Sequence, residues 1–101
     1  MWILESTDPG CPLLFRLLPG AAKTMGRAPQ ADFVVDAALV SRLHCRFALA
    51  SGQALSVEDL GSTNGTWVND RKVERASLLA GDSVKVGRVV FSVKADIAAP
   101  S

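Results

Sequence analysis

Three short polar segments hold the residue types able to grip an anion or attack a bond: Met25-Gly26-Arg27, Val40-Ser41-Arg42-Leu43-His44 and Gly61-Ser62-Thr63-Asn64-Gly65-Thr66. The Arg27 guanidinium is a planar fork of donors that suits a phosphate. Taken alone, Gly26-Arg27 describes equally a surface arginine in an ordinary ion pair, and Ser41 a turn cap. Ser41 and His44 could be paired as nucleophile and base, but a hydrolase also needs an orienting carboxylate and an oxyanion pocket, and no residue marks either. One histidine and two scattered cysteines, Cys11 and Cys45, do not make a ligand set, so neither a metal nor another cofactor is expected. The glycines flanking Ser62-Thr63-Asn64 allow backbone shapes closed to other residues and a close ligand approach, although Asn64-Gly65 before a strand also spells a plain hairpin turn. The segment lacks the Gly-Lys-Ser/Thr ending of a nucleotide P-loop, which argues against ATP or GTP. Binding without turnover is what these residues predict; the chain is not expected to be an enzyme.

The elements that must carry these segments follow from the apolar pattern. The chain has 101 residues, 49% of them hydrophobic, enough to bury one core without a metal or disulfide. Eleven Lys and Arg against ten Asp and Glu give a net charge of +1, so no global field gathers nucleic acid or an anionic membrane, and any anion site must be local. No run approaches the roughly 20 apolar residues of a membrane span. Met1-Trp2-Ile3-Leu4-Glu5 has neither the basic start nor the apolar stretch of a signal peptide, so an intracellular setting with Cys11 and Cys45 as free or buried thiols is expected, a disulfide between them being the alternative.

Apolar residues recur at a spacing of two in Leu13, Phe15, Leu17; Cys45, Phe47, Leu49; Leu55, Val57; Val84, Val86; and Val89, Phe91, Val93. That is strand periodicity. Asp8-Pro9-Gly10, Pro19-Gly20, Ser51-Gly52-Gln53, Gly61 to Gly65, Asn69-Asp70 and Gly81-Asp82 can each reverse the chain between runs. Many short strands with frequent turns imply an all-β sandwich or barrel. A helix is conceivable only around Arg75 to Ala80. From Ala95 to Ser101 the alternation gives way to small residues and a proline, which reads as the start of a linker within a longer protein.

Taken together and in order, Gly26-Arg27, Ser41-Arg42-x-His44 and Gly61-Ser62-Thr63-Asn64-Gly65-Thr66-Trp67-Val68-Asn69 resemble the signature of the forkhead-associated (FHA) domain, and Gly81-Asp82 fits the turn before that family's penultimate strand. The likeness runs from Trp2 to Lys94, so it implies one domain at 1–94 and a tail at 95–101. It implies a two-sheet β-sandwich of about eleven short strands whose apical loops bind phosphothreonine in segments of partner proteins. It assigns phosphothreonine contacts to Arg27, Ser41, Arg42, Thr63 and Asn64, and structural support to Gly26, His44, Gly61 and Gly65. Direct nucleic-acid or membrane binding is not implied. The same fold used for scaffolding or dimerisation, blind to phosphate, is the rival reading. Within the family, Met1-Trp2-Ile3-Leu4-Glu5 and Phe15-Arg16-Leu17-Leu18-Pro19-Gly20 resemble the N-terminal domain of nibrin-like DNA-repair proteins. That likeness implies BRCT domains beyond Ser101, a nuclear setting and a part in the DNA damage response.

Overall fold

The computed structural model describes residues 1–7, 10, 12–50 and 54–95. The expected turns at Asp8-Pro9 and Ser51-Gly52-Gln53, the thiol of Cys11 and the tail beyond Ala95 lie outside the described residues. Eleven strands follow one another: β1 (Trp2–Ser6), β2 (Leu14–Leu17), β3 (Ala22–Gly26), β4 (Phe33–Val34), β5 (Cys45–Leu49), β6 (Leu55–Asp59), β7 (Thr66–Val68), β8 (Arg71–Val73), β9 (Arg75–Leu78), β10 (Ser83–Val86) and β11 (Val89–Ala95). They form a six-stranded sheet in the order β2-β1-β11-β10-β7-β8 and a five-stranded sheet in the order β4-β3-β5-β6-β9. All pairings are antiparallel except β3 with β4. The expected two-sheet all-β sandwich is the observed one.

The alternating runs do what their spacing demands. In β5, Cys45, Phe47 and Leu49 are buried while Arg46 is exposed; in β10, Val84 and Val86 are buried between exposed Ser83 and Lys85. These inward residues meet across the sandwich with Leu4, Leu17, Met25, Leu55, Val57, Phe91 and Val93 in one core. Each fully buried Leu, Val or Phe contributes about 1.5–3 kcal/mol relative to exposure. Phe15 of one sheet stacks on Phe33 of the other at a centroid distance of 4.5 Å and tilts against Phe91 at 5.9 Å, closing the side where β2 and β4 form the edges.

Two expectations are corrected. Arg75 to Leu78 is strand β9, not a helical turn: it pairs with β6 through Leu55 opposite Leu78 and Val57 opposite Ala76. Leu78 is buried and Leu79 is 70% exposed, an in-out alternation that a pairing strand enforces against local helix propensity. Ala95, assigned to the tail, is the last residue of β11, where it lies opposite Trp2.

Candidate functional site

β3 ends at Gly26 and releases Arg27 at the rim of the sandwich, where the chain segment before β5 runs alongside it. The Arg27 amide donates to the Ser41 carbonyl (2.9 Å), the Ala28 amide to the Arg42 carbonyl (3.0 Å) and the His44 amide to the Met25 carbonyl (2.8 Å). The two segments approach so closely that a Cβ on Gly26 would stand 2.0 Å from the Arg42 carbonyl oxygen and 2.9 Å from the Leu43 Cα. No side chain fits, so glycine is required by contact rather than by backbone angle.

The result is an open cleft of about 390 Å³ lined by Arg27, Ala28, Pro29, Asp36 and Arg42. Both arginines are exposed, and among the described residues neither guanidinium takes part in an ion pair. Two arginines thus border a space whose lining includes a single carboxylate, that of Asp36.

The loop between β6 and β7 is tied to this wall. The Thr63 amide donates to Ser41 Oγ (3.0 Å), which fixes the hydroxyl oxygen and leaves its proton free to donate outward. Asn64 Nδ2 donates to the Leu39 carbonyl (3.0 Å), keeping its Oδ1 available as an acceptor. Leu39 has φ of +70°, a left-handed conformation unusual for a leucine and costing roughly 1–2 kcal/mol. The turn between β10 and β11 packs against the same stretch: a Cβ on Gly87 would meet Val40 Cγ2 at 2.8 Å and the Leu39 carbonyl carbon at 2.9 Å.

His44 is fully buried under both loops. The Ser41 amide donates to its Nδ1 (3.0 Å), so Nδ1 is an acceptor and the hydrogen sits on Nε2, which donates to the Gly65 carbonyl (2.8 Å). One imidazole therefore spans the segment bearing Ser41 and the loop bearing Thr63 and Asn64. Gly65 presents that carbonyl from φ of +84°, where a side chain would be strained; Gly61 opens the loop at φ of +79°.

The structure thus brings Arg27, Ser41, Arg42, Thr63 and Asn64 to one end of the sandwich, with Gly26, His44, Gly61 and Gly65 beneath or between them. Sequence reasoning missed Asp59. Its Oδ2 accepts from the Gly61 amide (3.0 Å) and the Ser62 amide (3.1 Å), and its Oδ1 from the hydroxyls of Ser62 and Thr66 (2.8 Å for Thr66). Burial on its own raises the Asp59 carboxyl; the donors from Ser62, Thr66 and Gly61 outweigh it and hold the group below the usual carboxylate range. An aspartate two and three residues before Gly61-Ser62 is an Asx-turn signal, and that spacing is where it was legible. Next to it, burial pushes the Cys45 thiol up to about 12, a rise that a Thr66 hydrogen bond reduces and the Asp59 charge reinforces, so Cys45 is an inert core thiol. Among the described residues no group of three or more His, Cys, Asp or Glu side chains could hold a metal ion, and no helix is long and apolar enough to cross a membrane.

Comparison with known proteins points the same way. A model of the FHA domain matches residues 23–87. The chain is similar to the glycogen accumulation regulator GarA of Mycolicibacterium smegmatis, with 43% identity over 77 residues, which is 74% of this chain and 48% of that protein. It spans about half the length of the curated relatives it matches. Among solved structures it is similar to the FHA domain of CT664 from Chlamydia trachomatis, at a TM-score of 0.87 and 29% identity over 93% of this chain and 96% of that one. It is also similar to an FHA domain solved for the study of phosphothreonine-dependent FHA domain interactions, at a TM-score of 0.84 and 31% identity over 99% and 98% of the two chains. GarA is a bacterial regulator. The nibrin-like parent, the nuclear setting and the DNA-repair role expected from the opening residues find no support in these relatives.

Proposed function

The chain belongs to the FHA domain family, and on that footing we propose that its apical loops bind phosphothreonine-containing segments of partner proteins and perform no catalysis. The observation that carries this reading is the direct lacing of three loops distant in sequence, with the Arg27 amide bonded to the Ser41 carbonyl and Ser41 Oγ accepting from the Thr63 amide, beside a cleft lined by Arg27 and Arg42. A phosphorylated threonine brings about −1.5 to −2 charges and three strong acceptor oxygens. Arg27 and Arg42 supply the cations, the Ser41 and Thr63 hydroxyls the neutral donors, and the Asn64 carboxamide holds the peptide backbone beside the phosphate. His44, Gly26, Gly61 and Gly65 keep those groups at fixed spacing, which is the condition for charge-assisted hydrogen bonds to contribute about 1.5–3 kcal/mol each.

The domain occupies residues 1–95, through the end of β11, within a longer protein. It acts inside the cell, where threonine kinases write its ligand, as the phosphorylation-sensing part of a regulator; neither nucleic acid nor membrane is a direct partner, in keeping with a net charge of +1.

The test is a titration of the domain with a degenerate phosphothreonine peptide pool and with the same pool treated with phosphatase. Binding of the phosphorylated pool alone is the expected result. Equal binding of both pools would replace this reading with phosphate-independent scaffolding through the same fold.

A further inference from the structure

Beyond Asn64 the loop between β6 and β7 rests on two further side chains, Trp67 and Lys72. Trp67 Nε1 donates to the Asn64 carbonyl (3.1 Å). Lys72 lies along Gly65 so closely that a Cβ there would stand 2.7 Å from the lysine Cε and 3.3 Å from its Cδ and Cγ. Trp67 and Lys72 are direct cross-strand partners in the β7–β8 hairpin, so the indole and the lysine stem stand side by side on one face.

Lys72 is exposed, and among the described residues its ammonium has neither an ion-pair nor a hydrogen-bond partner. A surface lysine ordinarily contributes little, because ordering its long side chain offsets the Coulomb attraction. Here the methylene stem is already packed on the backbone of Gly65, while the charge is left uncompensated. A ligand strand that passes Asn64 and continues over Gly65 meets that charge next.

We propose that Lys72, set beside Trp67, is a specificity-determining residue that selects segments carrying an Asp or Glu side chain close to the phosphothreonine; this rests on the phosphothreonine reading above. It is separate from the cleft of Arg27 and Arg42, and reads a side-chain carboxylate rather than the phosphate.

A phosphothreonine peptide library, degenerate at the flanking positions, is screened on the wild type, on Lys72→Met, which keeps the stem on Gly65 without the charge, and on Lys72→Glu. The wild type enriches Asp or Glu at one flanking position and binds the acidic peptide about two- to fivefold more tightly than its amide counterpart at low salt. Lys72→Met abolishes that difference and Lys72→Glu turns it toward Lys and Arg, while all three proteins still require the phosphate. An acidic preference unchanged in the variants, or absent from the wild type, overturns the role of Lys72 and leaves the phosphothreonine reading standing. A wild type indifferent to phosphorylation overturns both.

Discussion

His44 Nε2 donates to the Gly65 carbonyl over 2.8 Å, and through this bond a buried ring couples the segment carrying Ser41 to the loop carrying Asn64. Its other nitrogen is equally committed, since the Ser41 amide has Nδ1 as its acceptor. A histidine beside a serine thus serves the architecture of the site, with both ring nitrogens already occupied.

Replacing His44 by Ala leaves the Ser41 amide and the Gly65 carbonyl without partners under the loops. One buried and one partly buried group left unsatisfied, at about 1–3 kcal/mol each, predict a loss of ~2–6 kcal/mol, read as a lower urea midpoint with unchanged slope. Phosphopeptide affinity falls in the same variant, because Ser41 and Asn64 lose their common support. A variant as stable as the wild type would contradict the role given to the ring.

Gly26→Ala forces a methyl group against the Arg42 carbonyl, 2.0 Å away before relaxation. The expected cost is about 1–3 kcal/mol, with weakened binding because Arg42 must shift. Gly20→Ala is the control: at φ of +85° with nothing within 4 Å of the added carbon, it carries only backbone strain of roughly 1–2 kcal/mol and leaves binding unaltered. Equal binding losses in both would show that strain, not contact, governs the first.

Asp59 has its carboxyl held below the ordinary value in the folded state, so the stability it confers is present above the unfolded pKa of about 3.9 and is lost as pH falls through the lower folded value. Asp59→Asn removes that contribution. The stability gap between wild type and variant should be widest near neutral pH and narrow below about pH 4. The exposed Asp32 shifts in the same direction through the Thr24 amide and hydroxyl, but it is common to both proteins and cancels. Denaturation series showing a constant gap from neutral to acid would refute the assignment.

Arg27 lines the cleft and has no ion-pair partner among the described residues, while its backbone amide stays bonded to Ser41. Arg27→Ala is therefore expected to leave the thermal midpoint unchanged and to weaken a phosphothreonine peptide tenfold or more by calorimetry, at 1.4 kcal/mol per decade. Unchanged affinity would remove Arg27 from the site.

What the sequence revealed follows from how much each segment buries. Runs such as Cys45-Phe47-Leu49 and Val89-Phe91-Val93 put three side chains into the core, and a period of two is unmistakable there. β1 buries only Leu4, and β8 buries none of its three residues completely, so neither offers a period to count. Arg75-Ala76-Ser77-Leu78 has helix-forming composition before a glycine; its strand state comes from pairing with β6, which no local signal carries. At the site, Arg27, Ser41, Arg42, Thr63 and Asn64 were legible as a set of motifs. Leu39 was not, because it acts through a carbonyl oxygen that any residue possesses, and the packing of Lys72 on Gly65 was not, because only the hairpin register brings it there.

The most direct test of the central claim is a two-dimensional amide NMR titration of the domain with a phosphothreonine peptide and its unphosphorylated twin. The phosphorylated peptide alone is expected to shift the resonances of Arg27, Ser41, Arg42, Thr63 and Asn64 as one contiguous set. Shifts concentrated instead on the far groove between β8 and β9, around Arg71, Ser77 and Leu79, or identical responses to both peptides, would contradict it.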